Sequence, residues 1–507
     1  MGYVQGVERG QISLLSLEDM VDEKAMVRVI DRFIEVTDLE KLGFQMTTPA
    51  WTGRPGYAPK AHAKLQVYGY ENGIRSSRKL ERETKRNVEV MWLVEGVTPD
   101  HKTIAEFRKN NLRPLQKLFR EFVKLCKAWD LIGGELEAFD GSKFKASNNK
   151  KMNFSRKKLD ARLARLDEQI GQYLSDVEEN DKAEADLEGS VEKIPELQQL
   201  LARKELYEAY KKQLDESGEN ELSVVDPDAR LMGNNRGGVE MAYNVQTAVD
   251  GKHDIVVAWN VSMNPSDHHQ LGPMVKKVKR TLKVRRFTAL ADKGYYSGKD
   301  LRQVKRYKVT AIVAKQKPSD SKELSEEFRS EKFTYDAESD TYICPMGQSL
   351  STRNTKKAER RKYCNPTACA SCPNKSKCIS GKSEFRTITR GQFANIYEEV
   401  DKRLAENQSL YKRRQQIVEH PFGTVKRAMN GGYFLLRTRR KVRTEVALLF
   451  LGYNLKRAVK VLGFDGIMAR LEEYGRSSRH AFIGFCHDFV LLHSKRPLFR
   501  DACYAYV

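Results

Sequence analysis

Two aspartates occupy equivalent places at the ends of short apolar runs. Asp140 follows Leu136 and Ala138 on one face of a strand pattern, Asp292 follows Leu290 in the same way, and each is followed within two residues by glycine. A carboxylate buried at such a place is costly unless it binds a metal ion or another cation. Carboxylate oxygens suit Mg²⁺, and two such ions about 4 Å apart can clamp the attacking and leaving oxygens of a phosphodiester. The pair indicates a metal site for phosphoryl transfer; the alternative for either aspartate alone is the cap of a loop or helix.

Cysteines form a second cluster of metal-binding residue types. Five of the eight cysteines fall between residues 344 and 378, at Cys344, Cys364, Cys369, Cys372 and Cys378. The two-residue spacing of Cys369 and Cys372 is usual in zinc knuckles, and thiolates suit tetrahedral Zn²⁺. The pattern favours a structural zinc site, with a metal-free thiol cluster as the alternative. The remaining cysteines are expected to be ordinary buried thiols: Cys126, Cys486 and Cys503.

The chain is strongly basic. Its formal net charge is +22, which favours polyanionic partners, with nucleic acid first and an anionic membrane or a merely solubilising surface as alternatives. Two basic runs, 74–87 and 437–443, are candidates for phosphate contact, and a solvated surface is again the alternative. If they bind DNA, affinity must fall steeply with salt because counterions are released. The side chains expected to contact DNA in these runs are Arg75, Arg78, Lys79, Arg437, Arg439 and Arg440.

Neither the first residues nor the apolar runs of the sequence indicate a membrane protein. The first 20 residues lack a basic stretch followed by an apolar core, so they do not resemble a signal peptide. The longest apolar run, Val446–Leu451, is far short of the roughly 20 residues that span a bilayer. The expected location is the cytoplasm, in association with the nucleoid and without a membrane partner. Disulfides are rare in that compartment, which again favours metal for the clustered cysteines.

Residues 1–130 read as a series of short helices. A helix is predicted over 98–111, with Thr98 or Asp100 as its cap. Short helices that carry lysine and arginine suit a DNA-binding domain of the helix-turn-helix kind. A plain helical scaffold with solvated charges is the alternative.

Residues 151–225 change to a coiled-coil-like pattern. An apolar seam in steps of four and three runs from Leu159 to Val177, and a second helix is predicted from Pro195 with Leu197, Leu201 and Leu214 facing inward. The pattern predicts a helical hairpin inserted between strands, acting as a structural or interaction arm.

Strand patterns flank this arm. The expected order is a strand at 133–146, a hairpin at 243–262 around Asp250 and Gly251, a helix at 267–282, and strands at 287–297 and 308–314 separated by a short helix. This order predicts an α/β fold with a mixed sheet of the RNase H-like kind. Residues 315–390 interrupt it, after which helical patterns return at 396–429 and a buried helix is expected at 445–463.

Three segments resemble the catalytic blocks of bacterial insertion-sequence DDE transposases: AFDGSKFKA (138–146), ADKGYYS (291–297) and QQIVEHPFGTVKR (415–427). The subgroup that is most similar has an N-terminal helical domain and a cysteine-containing insert, the IS-eleven-eighty-two-like enzymes. Segments 53–83, 98–111, 243–250 and 434–458 also resemble it, in matching order, so the resemblance covers most of residues 10–463.

The resemblance implies specific roles for residues of this sequence. Asp140 and Asp292 become the first two ligands of Mg²⁺ or Mn²⁺, and Glu419 becomes the third. Lys426, seven residues further on the same helix face, would hold a DNA phosphate. The wider superfamily often has tyrosine and arginine seven and four residues before the glutamate; Tyr411 and Arg414 are each displaced by one, so no catalytic role is assigned to them. The zinc ligands implied are Cys344, Cys369, Cys372 and Cys378, with Cys364 spare.

The domain plan implied is a helical DNA-binding domain (1–130) and an RNase H-like catalytic domain (131–463) with inserts at 151–225 and 330–385. No role is assigned to the tail, 464–507. The expected activity is that of a DNA transposase: Mg²⁺-dependent strand cleavage at the terminal inverted repeats and transfer of the freed 3′-OH into target DNA, by a homo-oligomer on double-stranded DNA. The alternatives are an inactive or domesticated DNA-binding relative and an RNase H-like nuclease that only hydrolyses.

Overall fold

The computed structural model describes residues 14–45, 56–183, 194–233, 237–315, 324–352, 360–379 and 383–493. Cys503, and the side chains of Val177 and Cys486, fall outside what it describes.

Short helices make up the first part of the chain, as the sequence predicts. The helix expected at 98–111 begins after Asp100, whose carboxylate accepts hydrogen bonds from the backbone N–H groups of Lys102 and Thr103, so Asp100 is the cap. The helices are α1 (Met26–Val36), α2 (Leu39–Leu42), α3 (Pro59–Glu71), α4 (Ser77–Glu83), α5 (Val88–Leu93), α6 (His101–Asn110) and α7 (Leu112–Ala128).

The middle of the chain holds the predicted sheet and the predicted arm. Its elements in chain order are β1 (Leu136–Lys145), β2 (Asn153–Ser155), α8 (Arg156–Ala183), α9 (Ile194–Ser217), β3 (Glu221–Ser223), β4 (Arg230–Gly233), β5 (Val239–Asp250), β6 (Val256–Ser262), α10 (Leu271–Leu282), β7 (Thr288–Ala291), α11 (Gly298–Arg306) and β8 (Thr310–Val313).

The central sheet is mixed, which confirms the α/β prediction. β5 lies beside β1 in antiparallel pairing, and its other edge pairs with β4 and then with β6. On its far side β1 pairs with β7, and β7 with β8, both in parallel. The parallel register sets Phe139 opposite Ala291. Asp140 and Asp292 are the next residues on these two neighbouring strands, so the sheet itself brings them to one place.

The arm is a pair of antiparallel helices, α8 and α9, that is closed at its base by an apolar cluster. Phe154, Leu159 and Leu214 form this cluster, and β2 pairs with β3 beneath it. The hairpin prediction is confirmed. The inward placement of Leu201 is wrong, because its side chain is 44% exposed. Two helices alone can bury only the faces that they turn to each other, and beyond the base little else covers them.

Residues of the second interruption form an antiparallel sheet that the sequence pattern did not predict. Its strands lie in the order β13, β12, β11, β10, β9, with a small core around Tyr342 and Tyr363. The elements are β9 (Thr334–Asp336), β10 (Thr341–Ile343), β11 (Ser349–Thr352), β12 (Arg360–Cys364), α12 (Pro366–Ala370), α13 (Lys375–Cys378) and β13 (Thr387–Gly391).

Helices complete the fold. α14 (Ala394–Glu406) and α15 (Gln408–Gly423) are followed by a π-helical turn, Thr424–Ala428, and by α16 (Arg439–His493), which kinks at Gly463. The helix expected at 445–463 is confirmed and buried. α1, α3 and α7 pack on α16, so the N-terminal helices and the sheet share one hydrophobic core. Among the described residues, no helix is both long enough and apolar enough to cross a bilayer.

Candidate active site

Asp140 and Asp292 lie side by side at the centre of the mixed sheet. The pKa of Asp140 is raised to about 7: burial is the largest cause, the Arg414 guanidinium opposes it, and the negative charges of Asp292 and Asp267 add to it. Asp292 Oδ1 accepts a hydrogen bond of 2.8 Å from the Gly294 N–H. Asp140 is therefore costly to ionise, and a second carboxylate lies beside it. A divalent cation bound between the two would offset this cost.

Glycine follows each aspartate because carboxylate oxygens crowd the backbone there. A Cβ on Gly294 would lie 3.0 Å from Asp292 Oδ1 and 3.3 Å from Asp267 Oδ2. A Cβ on Gly141 would collide with Asp267 Oδ1 and with the amide of Gln246. Both glycines therefore leave room for a third carboxylate, that of Asp267, beside the two aspartates.

Asp267 is the acidic residue of this site that the sequence analysis missed. It lies between β6 and α10, and its Oδ1 accepts hydrogen bonds from Asn244 Nδ2 at 2.8 Å and Gln246 Nε2 at 2.7 Å. The Nζ of Lys143 is 3.9 Å from the same oxygen. The signal in the sequence was weak: a polar Asn244 and Gln246 on a strand otherwise rich in apolar residues.

The buried side chain of Tyr295 holds the hydrogen bonds around Asp267 in place. The Tyr295 hydroxyl donates a hydrogen bond to Gln246 Oε1, and the same amide donates through its nitrogen to Asp267. Tyr295 is fully buried, and burial followed by the charge of Asp267 raises its pKa well above the usual value. The hydroxyl therefore stays protonated and fixes the orientation of Gln246, which in turn fixes Asp267.

Two side chains of α15, Arg414 and Tyr411, interact electrostatically with the aspartate pair. α15 packs on β1, β5 and β7. Arg414 lowers the pKa of Asp140, and Asp292 and Asp140 both act to raise that of Tyr411 after burial, the largest cause. The buried Nε of Arg414 has no hydrogen-bond partner within the described chain. Their spacing from Glu419 differs by one position from the superfamily pattern, so the sequence assigns them no catalytic role. The packing of α15 on the sheet nevertheless brings both to the site.

Glu419 is exposed, and its Oε1 accepts a hydrogen bond of 2.7 Å from Gln415 Nε2. It lies five residues beyond Arg414, which is about 140° further round a helix. Across the described ranges, no three side chains among histidine, cysteine, aspartate and glutamate form a group that could hold a metal ion. The structure thus brings Asp140 and Asp292 together and leaves Glu419 outside a ligand group.

Lys426 lies beside the strand that carries Asp140. It belongs to the π-helical turn, and its Nζ donates hydrogen bonds to Ser142 Oγ at 2.6 Å and to the Lys143 carbonyl at 2.9 Å. Burial lowers its pKa, while the charge of Asp140 acts to raise it. The ammonium is therefore close to the aspartate site, where it lies over the Phe144 ring at 4.7 Å.

Comparison with known families decides the identity of the chain. Residues 15–110 match the model described as a transposase domain (DUF772), and residues 343–459 match the model described as a transposase DDE domain. These two matches support a DNA transposase of the insertion-sequence DDE kind. The transposase domains imply DNA binding, and the DDE domain implies a divalent metal ion, typically Mg²⁺. No curated protein and no solved structure matches it.

The basic runs of the transposase contain one residue that the sequence analysis misassigned. Arg75 is only 2% exposed, and its guanidinium donates to the carbonyl oxygens of Tyr433 at 2.6 Å and Asn430 at 2.7 Å and lies 3.3 Å from Glu445 Oε2. Its donors are therefore used inside the protein, which contradicts the predicted phosphate contact. A short basic run does not reveal which of its members faces the core.

The other basic residues of these runs lie at or near the surface. Arg78 and Lys79 on α4, and Arg437 and Arg440 before and at the start of α16, are exposed. Arg439 is partly buried, and its Nε donates to the Val261 carbonyl at 2.8 Å. Their DNA contact stays a prediction.

The cysteines of the transposase gather around Cys378. Burial, the largest effect, raises the pKa of Cys378; nearby Arg386 lowers it, and Cys369, Cys344 and Cys372 act to raise it. Cys344 Sγ accepts a hydrogen bond from the Gln348 N–H at 3.3 Å. Cys364 is buried on β12 and is not among the groups acting on Cys378. As they stand, these thiols do not form a group that could hold a metal ion, in the part of the chain that is described.

Proposed function

We propose that the transposase cuts DNA strands at the ends of its element and joins the freed 3′-OH to target DNA, at Asp140 and Asp292. One observation carries this proposal: the parallel pairing of β1 with β7 sets two carboxylates side by side where burial raises the pKa of Asp140 to about 7. The strand order β6, β5, β1, β7, β8, antiparallel and then parallel, supports an RNase H-like sheet.

The residues present fit Mg²⁺ or Mn²⁺. Asp140 and Asp292 supply hard oxygen ligands, and a divalent cation between them would offset both the burial of Asp140 and its repulsion by Asp292. When bound, the cation supplies Lewis-acid stabilisation of the attacking and leaving oxygens. Arg414, whose buried Nε has no hydrogen-bond partner among the described residues, would hold a non-bridging oxygen of the scissile phosphate.

The proposed third ligand is Glu419. Its carboxylate is exposed and accepts a hydrogen bond from Gln415 one helical turn earlier. We propose that α15 turns about its axis when DNA binds and so brings Glu419 to the aspartates. The π-helical turn at Thr424–Ala428 supports this, because such turns hold an extra residue and often occur at functional sites.

Charge-removing substitutions test the proposed site. Asp140→Asn, Asp292→Asn and Glu419→Gln should each abolish strand cleavage on a duplex that carries the element end, while binding of the same duplex survives. Glu406→Gln, an exposed acid on α14, is the matched control and should cleave normally. Unchanged cleavage by any of the three variants removes that residue from the site. Transfer of the cleaved end into a second duplex distinguishes a transposase from a nuclease that only hydrolyses.

The proposed partners are double-stranded DNA, as terminal inverted repeats and target, and a second copy of the chain. The helical arm supports a homo-oligomer, because it exposes Leu174 (47%), Leu201 (44%) and Leu206 (46%). Deleting residues 156–217 would leave a monomer on DNA if the arm carries the contact, as measured by light scattering of the complex.

We also propose a structural Zn²⁺ at Cys344, Cys369, Cys372 and Cys378. The four thiols suit tetrahedral zinc, and Cys344 Sγ accepts a hydrogen bond from the Gln348 N–H. The thiols would have to draw closer, because they do not form a metal-holding group in the described structure. Less than about half an equivalent of zinc in the purified protein would contradict the assignment.

A further inference from the structure

A large cavity with basic walls lies at the edge of the central sheet, beside β6. Its volume is about 910 Å³, and eight of the fourteen side chains that line it are lysine or arginine. No acidic side chain of the described residues lines it. Of these eight cations only Arg443 lies in a run already considered for DNA contact, 437–443.

Helical periodicity produces the two facing walls. α7 contributes Arg120, Lys124 and Lys127, which recur at intervals of four and three and so share one helix face. Opposite, Lys276 and Arg280 are four apart on α10. Like charges at such spacings destabilise a helix, and two such faces turned towards each other add to the repulsion. A bound polyanion would reverse that cost.

The floor of the cavity is cationic as well. Lys277 donates to the Trp259 carbonyl, and its Nζ lies over the indole ring at 4.6 Å. Its pKa is lowered to about 7, chiefly by burial and then by the charges of Arg443, Arg120 and Arg280. The cations of the cavity thus act mainly on each other. Among the ion pairs of the described residues, only Lys124 of this group has an acidic partner, Glu121.

The cavity continues the basic run at the start of α16. Arg439 binds the Val261 carbonyl and Arg443 donates to Asn260 Oδ1 at 3.4 Å, so both side chains lie along β6. At its other end, α10 begins just after the loop that carries Asp267. The ten residues from Leu271 to Arg280, nine steps along the helix, rise about 14 Å, which is less than one turn of duplex DNA.

We propose that this basic cavity binds the backbone of the DNA duplex that flanks the cleaved bond. A row of phosphates, one negative charge for roughly every 1.7 Å of duplex, matches two rows of cations better than a single small anion does. The proposal rests on the proposed cleavage function only in naming the bound DNA as the duplex beside the cleaved bond. The affinity of the cavity for duplex DNA does not itself require catalysis.

A salt titration tests the cavity. The triple variant Arg120→Gln, Lys276→Gln, Arg280→Gln removes three exposed charges, and Lys332→Gln, Lys362→Gln, Lys402→Gln is the control with equal charge loss. Binding of a fluorescent duplex of arbitrary sequence, without divalent ions, should weaken by at least about tenfold in the first variant. Its slope of log affinity against log salt should fall by about three, one per phosphate. The control should match the unchanged protein.

Two further measurements complete the test. Lysine acetylation in the full-length, unchanged protein should slow at Lys276 and Lys283 when the duplex is added, and not at Lys332. An unchanged slope in the triple variant, or equal acetylation with and without DNA, overturns the proposal; so does a cavity that binds inorganic triphosphate but not the duplex. Asp140→Asn should keep the slope of the unchanged protein. Its loss of cleavage then bears on the active site alone.

Discussion

The guanidinium of Arg75 lies 3.3 Å from the carboxylate of Glu445, across 370 positions of sequence, and both side chains are buried. Glu445 also accepts from the backbone N–H groups of Leu435 and Leu436. The pair joins the segment before α4 to the first turns of α16. It therefore fixes the N-terminal helices onto the helix at the centre of the core.

We expect Arg75→Met to destabilise the protein by about 3–5 kcal/mol, because it leaves the buried Glu445 charge without its partner. Chemical denaturation measures the change. Arg78→Met is the matched control: Arg78 is an exposed arginine three residues away and should change stability by less than about 0.5 kcal/mol. A loss below 1 kcal/mol for Arg75→Met would mean that the ion pair contributes little.

Arg414→Gln should lower strand cleavage by about 100-fold, because it removes a cation that faces the aspartate pair. Arg413→Gln, on the neighbouring exposed position of α15, is the control and should retain most activity. Single-turnover cleavage of a prebound duplex separates this loss from weaker binding. Equal rates in the two variants would place Arg414 outside the chemistry.

Asp267→Asn should weaken binding of Mn²⁺ by about tenfold in the DNA-free protein, because a negative charge is lost beside Asp292 while the shape is kept. Titration calorimetry or the spin-resonance signal of free Mn²⁺ gives the affinity directly. Asp465→Asn, an exposed substitution of the same kind, serves as control. Unchanged Mn²⁺ affinity would restrict Asp267 to holding Asn244 and Gln246.

Glu137→Gln should stabilise the protein at neutral pH. Glu137 is fully buried on β1; burial, and then the charge of Asp250 across the strand pair, raises its pKa well above 4.5. A carboxyl group with a higher pKa in the folded than in the unfolded state binds more protons when folded, so its contribution to stability is lost as the pH rises above about 4.5.

Glutamine cannot ionise, so the advantage of Glu137→Gln should grow as the pH rises from 4.5 towards 7. Denaturation midpoints across this range measure it. Glu135→Gln, two residues earlier and exposed, should show no such trend. A gain for Glu137→Gln that is constant with pH would contradict the assigned cause.

Local sequence patterns predicted a helix or strand well where that element buries one or both of its faces. The alternation in residues 243–262 predicts a hairpin, and β5 pairs with β6 around Asp250. The small sheet of β9–β13 went unpredicted because its strands are three to five residues long and alternate too briefly to be recognised. Polar and charged residues dominate that stretch, and its few core residues come together only by pairing.

The sequence by itself determined which residues can do the chemistry and where most strands and helices run, because side-chain type and periodicity are local properties. It placed Asp140 and Asp292 on strand patterns; β1 continues to Lys145, so Asp140 lies in the middle of its strand, and the parallel pairing of β1 with β7 makes the two aspartates neighbours. Only the tertiary structure decided that the Arg414 guanidinium acts on this pair, and that Asp267 joins it. Which face α15 turns to the sheet depends on apolar side chains such as Val418, which pack against strands that are distant in sequence. In the same way, whether Arg75 faces DNA or Glu445 depends on contacts hundreds of residues apart, which no short pattern encodes.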